Sequence, residues 1–99
     1  MEEREELIPI ELFCTHHRVD ISFINSLEEF GLIEIIRIEE SGFIPESRIS
    51  ELEKFSRLYF DLDINLEGIE AITHLLQHIN RMQQEIIMLK NRLGLYEEN

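Results

Sequence analysis

From Asn65 to about Tyr96, apolar residues recur at alternating three- and four-residue spacing without interruption, and only one long helix places them all on a single face. Taking Ile72 as position a of a heptad puts Ile79, Ile86 and Leu93 at a, with Leu75, Met82, Leu89 and Tyr96 at d, so every seam position is apolar. At ~1.5 Å per residue the stretch from Leu66 to Leu93 spans roughly 40 Å, which exceeds what the rest of so short a chain can cover. The first half of this helix, where Ile69, Ile72 and Leu76 widen the stripe, suits packing within its own domain. The second half needs outside cover, and a second copy of the same helix supplies it most simply. Ile72, Leu75, Ile79, Met82, Ile86, Leu89 and Leu93 are therefore the expected dimerisation residues of a homodimer. The heptads leave the relative direction of the two helices open, and Ile87 and Met88, off the seam, leave room for further helices.

Ahead of this helix, the residue pattern is that of a small winged domain. Pro9 suits the first turn of a short helix running to about His16, because that turn requires no backbone donor, and Leu12 and Phe13 are expected to face inward. Asp20 is the expected N-cap of a second helix, Ile21 to Phe30, with Phe23, Ile24, Leu27 and Phe30 on one face and Gly31 as its stop. The two read as a helix-turn-helix. The β-branched run Ile33, Ile35, Ile36 and Ile38 predicts a strand over 32–38, Glu40-Ser41-Gly42 a turn, and Phe43-Ile44 a return strand broken by Pro45. A hairpin in that place is a wing.

A third helix is expected from about Glu46 to Phe60, on the spacing of Ile49, Leu52, Phe55, Leu58 and Tyr59, with Glu53 and Arg57 paired on its surface. Asn65 then caps the long helix, Glu67 sits in its first turn, Lys90 and Arg92 lie near its end, and Gly94 is the expected terminator. The fold class is mainly α: a winged helix-turn-helix with a small β-hairpin wing over residues 1–64, and a long C-terminal amphipathic coiled-coil helix over 65–99. One compact unit is expected.

Charge narrows the partners. The chain carries 21 Asp and Glu against 9 Lys and Arg, a formal net charge of −12. Up to Asn65 the only cations are Arg4, Arg18, Arg37, Arg48, Lys54 and Arg57, so the winged part is itself acidic. Phosphates must be met by Lys or Arg that displace counterions, so nucleic acid and anionic membranes are disfavoured and a basic protein is the complement. A DNA reader needs Arg, Lys or Asn on its second helix, yet Ser22 to Phe30 contains no basic residue, and Glu28 and Glu29 would face the phosphates. The lone Cys14, the absence of an apolar leader after Met1-Glu-Glu-Arg-Glu-Glu and the lack of a spanning segment read as a soluble cytoplasmic protein.

No catalytic set emerges, since there is no phosphate-cradling glycine loop and no nucleophile paired with a base. His74 and His78 could point from one helical face toward a metal, but two ligands do not make a site. Cys14-Thr-His16-His17 is too compact for a usual zinc arrangement, and the first helix would aim Cys14 at the core. No enzyme, cofactor or metal is expected.

Together, Ile10-Glu-Leu-Phe13-Cys14-Thr-His16, Gly31-Leu-Ile33, the wing residue Phe43, Arg57-Leu58, Leu62-Asp-Ile-Asn65-Leu-Glu-Gly68-Ile69 and the closing Leu89-Lys-Asn-Arg92-Leu93 carry a resemblance over nearly the whole chain. It resembles the MerR-like chaperone-modulator family, the CbpM type. The resemblance implies a homodimer that inhibits or tunes a J-domain co-chaperone by occupying the J-domain, whose positively charged helix normally engages the Hsp70-type chaperone. An acidic helix-turn-helix face complements such a helix and steers encounter, which makes Asp20, Ser22, Asn25, Glu28 and Glu29 the expected partner-binding residues. The chain has no Trp, whereas the family often carries one in the wing region and before the long helix, so packing there must differ. The alternatives are a MerR-like transcriptional regulator that binds DNA, and a structural coiled-coil adaptor that would leave the winged part unexplained.

Overall fold

In the computed structural model, which describes the backbone of residues 5–97 and the side chains of residues 5–95, the first element is a strand, β1 (Leu7–Pro9). It pairs antiparallel with β3 (Ser41–Pro45), which pairs in turn with β2 (Ile36–Ile38), giving the sheet order β1-β3-β2. Three residues are too short a pattern to tell from a helix lead-in, which is why β1 is not legible in sequence. Pro9 accordingly ends the strand at φ −60°, ψ 135° and stands at the N-cap of α1 (Ile10–His17), one position before the helical first turn.

Ile10 and Phe13 are the buried residues of α1. Leu12 is not, at 57% exposure, because each helical residue turns about 100° and Leu12 leaves the face that Ile10 and Phe13 share. The inward placement of Leu12 is thus corrected. Asp20 stands at the N-cap of α2 (Ile21–Glu29), although its side chain makes no capping hydrogen bond. Phe23, Ile24 and Leu27 are buried on one face, and Phe30 is half-buried. Gly31, at φ +76°, closes the helix: its N–H donates to Glu28 O at 2.9 Å, and Leu32 N–H donates to Leu27 O at 2.9 Å. That pair of bonds needs a left-handed residue, and glycine takes the conformation at least cost.

The wing is smaller than expected. Residues 32–35 do not join the strand, because Leu32, Ile33 and Ile35 all pack against the core, and a pleated strand cannot turn three so closely spaced residues the same way. The turn is also displaced. Glu39 (φ 51°) and Glu40 (φ 70°) form a two-residue connection between the Ile38↔Ser41 pair, while Ser41 and Gly42 belong to β3. This register turns Ile44 fully into the core. Gly42 serves close approach in the strand, where a Cβ would lie 3.2 Å from Ile35 Cγ2 and 3.3 Å from Ile10 Cδ1.

A 3-10 turn (Glu46–Arg48) leads into α3 (Ile49–Ser56), which buries Leu52 and Phe55 and widens into a π turn (Arg57–Asp61), where Leu62 N–H donates to Arg57 O at 3.1 Å. The core joins Ile10, Phe13, Ile24, Leu27, Ile44, Leu52, Phe55 and Ile69, drawn from every layer of the winged part. Asn65 caps α4 (Leu66–Glu97), its Oδ1 accepting the Gly68 N–H at 2.8 Å. α4 passes through Gly94, so that glycine is not a terminator; inside a helix it costs only about 1 kcal/mol relative to alanine. The chain divides into two units, one ending at Ile69 and one beginning at Glu70. The d-position Tyr96 lies outside the described side chains.

Candidate partner-binding face

α2 presents Ser22, Asn25 and Glu29 to solvent, with Asp20 exposed just before it. This outward face contains no Lys or Arg. Glu28 is different: half-buried, it accepts two hydrogen bonds of 2.9 Å from Arg37 Nη1 and Nη2 on β2. Those bonds, and with them the charge of Arg37, hold the Glu28 carboxyl below its ordinary value, while Arg37 is raised in turn. Of the five residues expected at the partner surface, four are exposed and one ties helix to wing. Because Arg37 is the only cation between Ile36 and Pro45, the wing has no second basic residue to offer a phosphate.

Around the start of α2 the face deepens into a cleft of about 210 Å³, lined by the polar residues Asp20, Ser22 and Ser26 and the apolar or aromatic Phe23, Tyr59, Phe60 and Leu66. The aromatic wall was not foreseen. Sequence spacing reads Tyr59 as core and Phe60 as a helix end, whereas the π turn leaves Phe60 49% exposed beside α2.

A second missed residue is His17, whose ring stacks on Phe13 with centroids 4.1 Å apart and planes at 18°. Its Nδ1 lies 3.3 Å from Phe13 O and its Nε2 3.1 Å from Glu53 Oε2. Both ring nitrogens thus lie within hydrogen-bond distance of an acceptor. No local pattern could pair residues 36 apart, and the sequence pattern had matched Glu53 with Arg57. The two flank an apolar groove of about 380 Å³ that exposes Leu12 alongside Ile8 and Ile49. Cys14, half-buried, is pushed up first by burial and then by the charges of Asp20 and Glu11, so it stays a thiol at neutral pH.

Along α4, Ile72 is half-buried, and Leu75, Ile79, Met82, Ile86, Leu89 and Leu93 are exposed, as are Leu76, Ile87, Met88 and Leu95 off the seam. His78 Nδ1 accepts a hydrogen bond of 3.1 Å from Arg81 Nη2. Among the described residues, no three His, Cys, Asp or Glu are grouped to hold a metal, and no helix is long and apolar enough to cross a membrane.

Residues 8–91 match the model of the MerR HTH family regulatory proteins, which takes in all but the first residue of the sheet, the helix-turn-helix and most of the long helix. The chain belongs to that family. Among curated relatives, this MerR-type chain is similar to the chaperone modulatory protein CbpM of Pseudomonas entomophila (strain L48), at 25% identity over 91 residues, 86% of this chain and 85% of the relative. It is similar to the protein of the same name from Pseudomonas putida (strain W619), at 24% identity with the same coverage. These findings bear out the resemblance to the CbpM type. No solved structure matches significantly.

The entry into the long helix is explained by local packing and capping. In Leu62-Asp-Ile-Asn65-Leu-Glu-Gly68-Ile69, Asn65 caps, Ile69 is fully buried, and Gly68 is needed because a Cβ there would stand 2.7 Å from Ile64 Cγ2.

Proposed function

We propose that the protein is a non-enzymatic chaperone modulator that binds a J-domain co-chaperone of an Hsp70 system and inhibits it, using the exposed face of α2. The observation that carries this reading is the charge of that face: Asp20, Asn25 and Glu29 are exposed with no cation among them, and Arg37, the one basic residue of the wing, is held by Glu28. A surface of this sign attracts a basic helix and repels a nucleic acid. The names of the two Pseudomonas relatives support a chaperone as the target. The exposed stripe of α4 completes the proposal as the seam of a homodimer, which holds two acidic heads in one assembly in the cytoplasm.

Calorimetry with a purified J-domain from the same organism tests the reading. Binding that weakens as salt rises from about 50 to 300 mM, together with loss of J-domain-stimulated ATPase activity of the chaperone, is the expected result. Absence of binding at low salt overturns it. The family match favours one second reading, a DNA-binding regulator. That reading predicts retention of a DNA fragment from upstream of its own gene in a gel-shift assay, against which the acidic face of α2 argues.

A further inference from the structure

We infer that the cleft between the start of α2 and the π turn is a pocket for the guanidinium of a single arginine on the partner protein. The inference rests on the proposed use of the α2 face and assigns its anchoring contact. The lining is divided by chemistry: Asp20, Ser22 and Ser26 supply a carboxylate and two hydroxyls, and Phe23, Tyr59 and Phe60 supply an aromatic wall. A volume of about 210 Å³ admits one side-chain head group and no helix.

The aromatic wall is organised before a ligand arrives. Phe23 and Tyr59 lie 4.8 Å apart between centroids at 41°, Phe23 and Phe60 5.0 Å at 60°, and Tyr59 and Phe60 4.9 Å at 79°. Each ring holds the next, so little side-chain entropy is lost on binding. A cation is attracted to an aromatic face, and a guanidinium can stack flat while its edge N–H groups reach oxygen acceptors. Asp20 is suited to be that acceptor, since its side chain makes no bond to the end of α2. Its full negative charge also outweighs the roughly half positive charge of the helix N-terminus, so the mouth prefers a cation to an anion. An apolar side chain would strand the carboxylate and hydroxyls without water. An ammonium is more strongly hydrated and stacks less well, which makes lysine the weaker ligand.

The test is an NMR titration of the full chain with N-acetyl-arginine amide, with N-acetyl-citrulline amide as the uncharged isostere, followed by J-domain calorimetry on the same variants. Saturable shifts at Ser22, Ser26 and the rings of Tyr59 and Phe60 are expected with the arginine probe and not with citrulline. Asp20→Asn, which removes charge and keeps the cap position, should weaken the arginine probe and the J-domain by about fivefold or more. Phe60→Leu, at a half-exposed site, should weaken both by about threefold, as expected for an exposed cation–π contact. Thermal melts of both variants confirm that they fold. Equal shifts from citrulline, or arginine shifts confined to residues outside the cleft, overturn the pocket. Free arginine binding tenfold more tightly than its capped form would assign the cleft to a small molecule and overturn the partner assignment. If the J-domain binds wild type and both variants alike, the pocket fails and the proposed function stands. If the arginine probe binds as described and the J-domain does not, the pocket stands and the proposed partner fails.

Discussion

Arg37 meets Glu28 fork to fork, with two hydrogen bonds of 2.9 Å joining the wing to α2. In this fold the helix and wing are the two parts that could grip a nucleic acid, and here the one basic residue of the wing is spent on the helix. The pair also carries a pH signature. Glu28 is held below its ordinary 4.5, so what the pair contributes to stability is complete above that value and drains away as pH falls through the lower, folded value. Glu5, lowered first by the Ser47 side chain and then by the Ser47 N–H that donates to it at 2.8 Å, acts with the same sign. Glu28→Gln should lower the plateau of a thermal-stability profile above pH 6, where the pair contributes in full, and flatten its acid limb between about pH 5 and 2. An unaltered acid limb would refute the assignment.

Charge reversal at Glu29 separates recognition from folding. Glu29 is exposed, so Glu29→Lys should leave the melting temperature within about 2 °C of wild type, as surface substitutions generally do. Its affinity for a J-domain should drop about tenfold at low salt, mainly through a slower on-rate, with the difference closing at high salt. Surface plasmon resonance across a salt series reads both.

Gly68→Ala should destabilise the chain even though alanine is the better helix former. The new Cβ would stand 2.7 Å from Ile64 Cγ2, on a β-branched side chain that is stiff at χ1, and 3.1 Å from the capping Asn65 Oδ1. Overpacking costs about 1–3 kcal/mol and the helix-propensity gain is about 1, so a net loss of up to about 2 kcal/mol is expected in urea unfolding. Asn65→Ala, which removes the cap to the Gly68 N–H, should cost about 1 kcal/mol by the same measurement.

The hairpin tip predicts a change in the other direction. Glu39 and Glu40 both hold positive φ in a two-residue turn where Asn-Gly is the favoured pair. The double substitution Glu39→Asn, Glu40→Gly should stabilise the chain by about 1–2 kcal/mol, because a left-handed backbone costs a residue with a Cβ roughly 1 kcal/mol. A melting temperature that stays the same or falls would show that the turn carries no such strain.

The α4 seam makes a prediction about assembly. Ile79 and Ile86 are exposed at successive a positions, so Ile79→Asp with Ile86→Asp should convert a dimer to a monomer in sedimentation equilibrium at about 10 μM. The circular dichroism of residues before Asn65 should persist. A wild-type chain that sediments as a monomer would remove the proposed seam.

Patterns long enough to repeat were legible. The 3.6-residue period of α4, the faces of α2 and α3, the Gly31 stop and the Asn65 cap all follow from residues within one or two turns of each other, where local sterics and backbone bonding decide. The charge of the α2 face was legible for the same reason. Patterns of three or four residues were not: β1 could be seen only once β3 was there to pair with it, and the strand expected over 32–38 kept only residues 36–38, the rest going to core packing.

What the amino-acid sequence determined by itself is thus the order of elements, the acidic sign of the surface and the unbroken apolar stripe of α4, all properties of neighbours along the chain. What only the tertiary structure decided is which charges are used up and where rings and acids meet. Glu28 is taken by Arg37, nine residues on, His17 by Glu53, 36 residues on, and Asp20 shares a cleft with Tyr59 and Phe60. Such contacts depend on how the core turns each element, and a one-dimensional pattern does not encode that rotation.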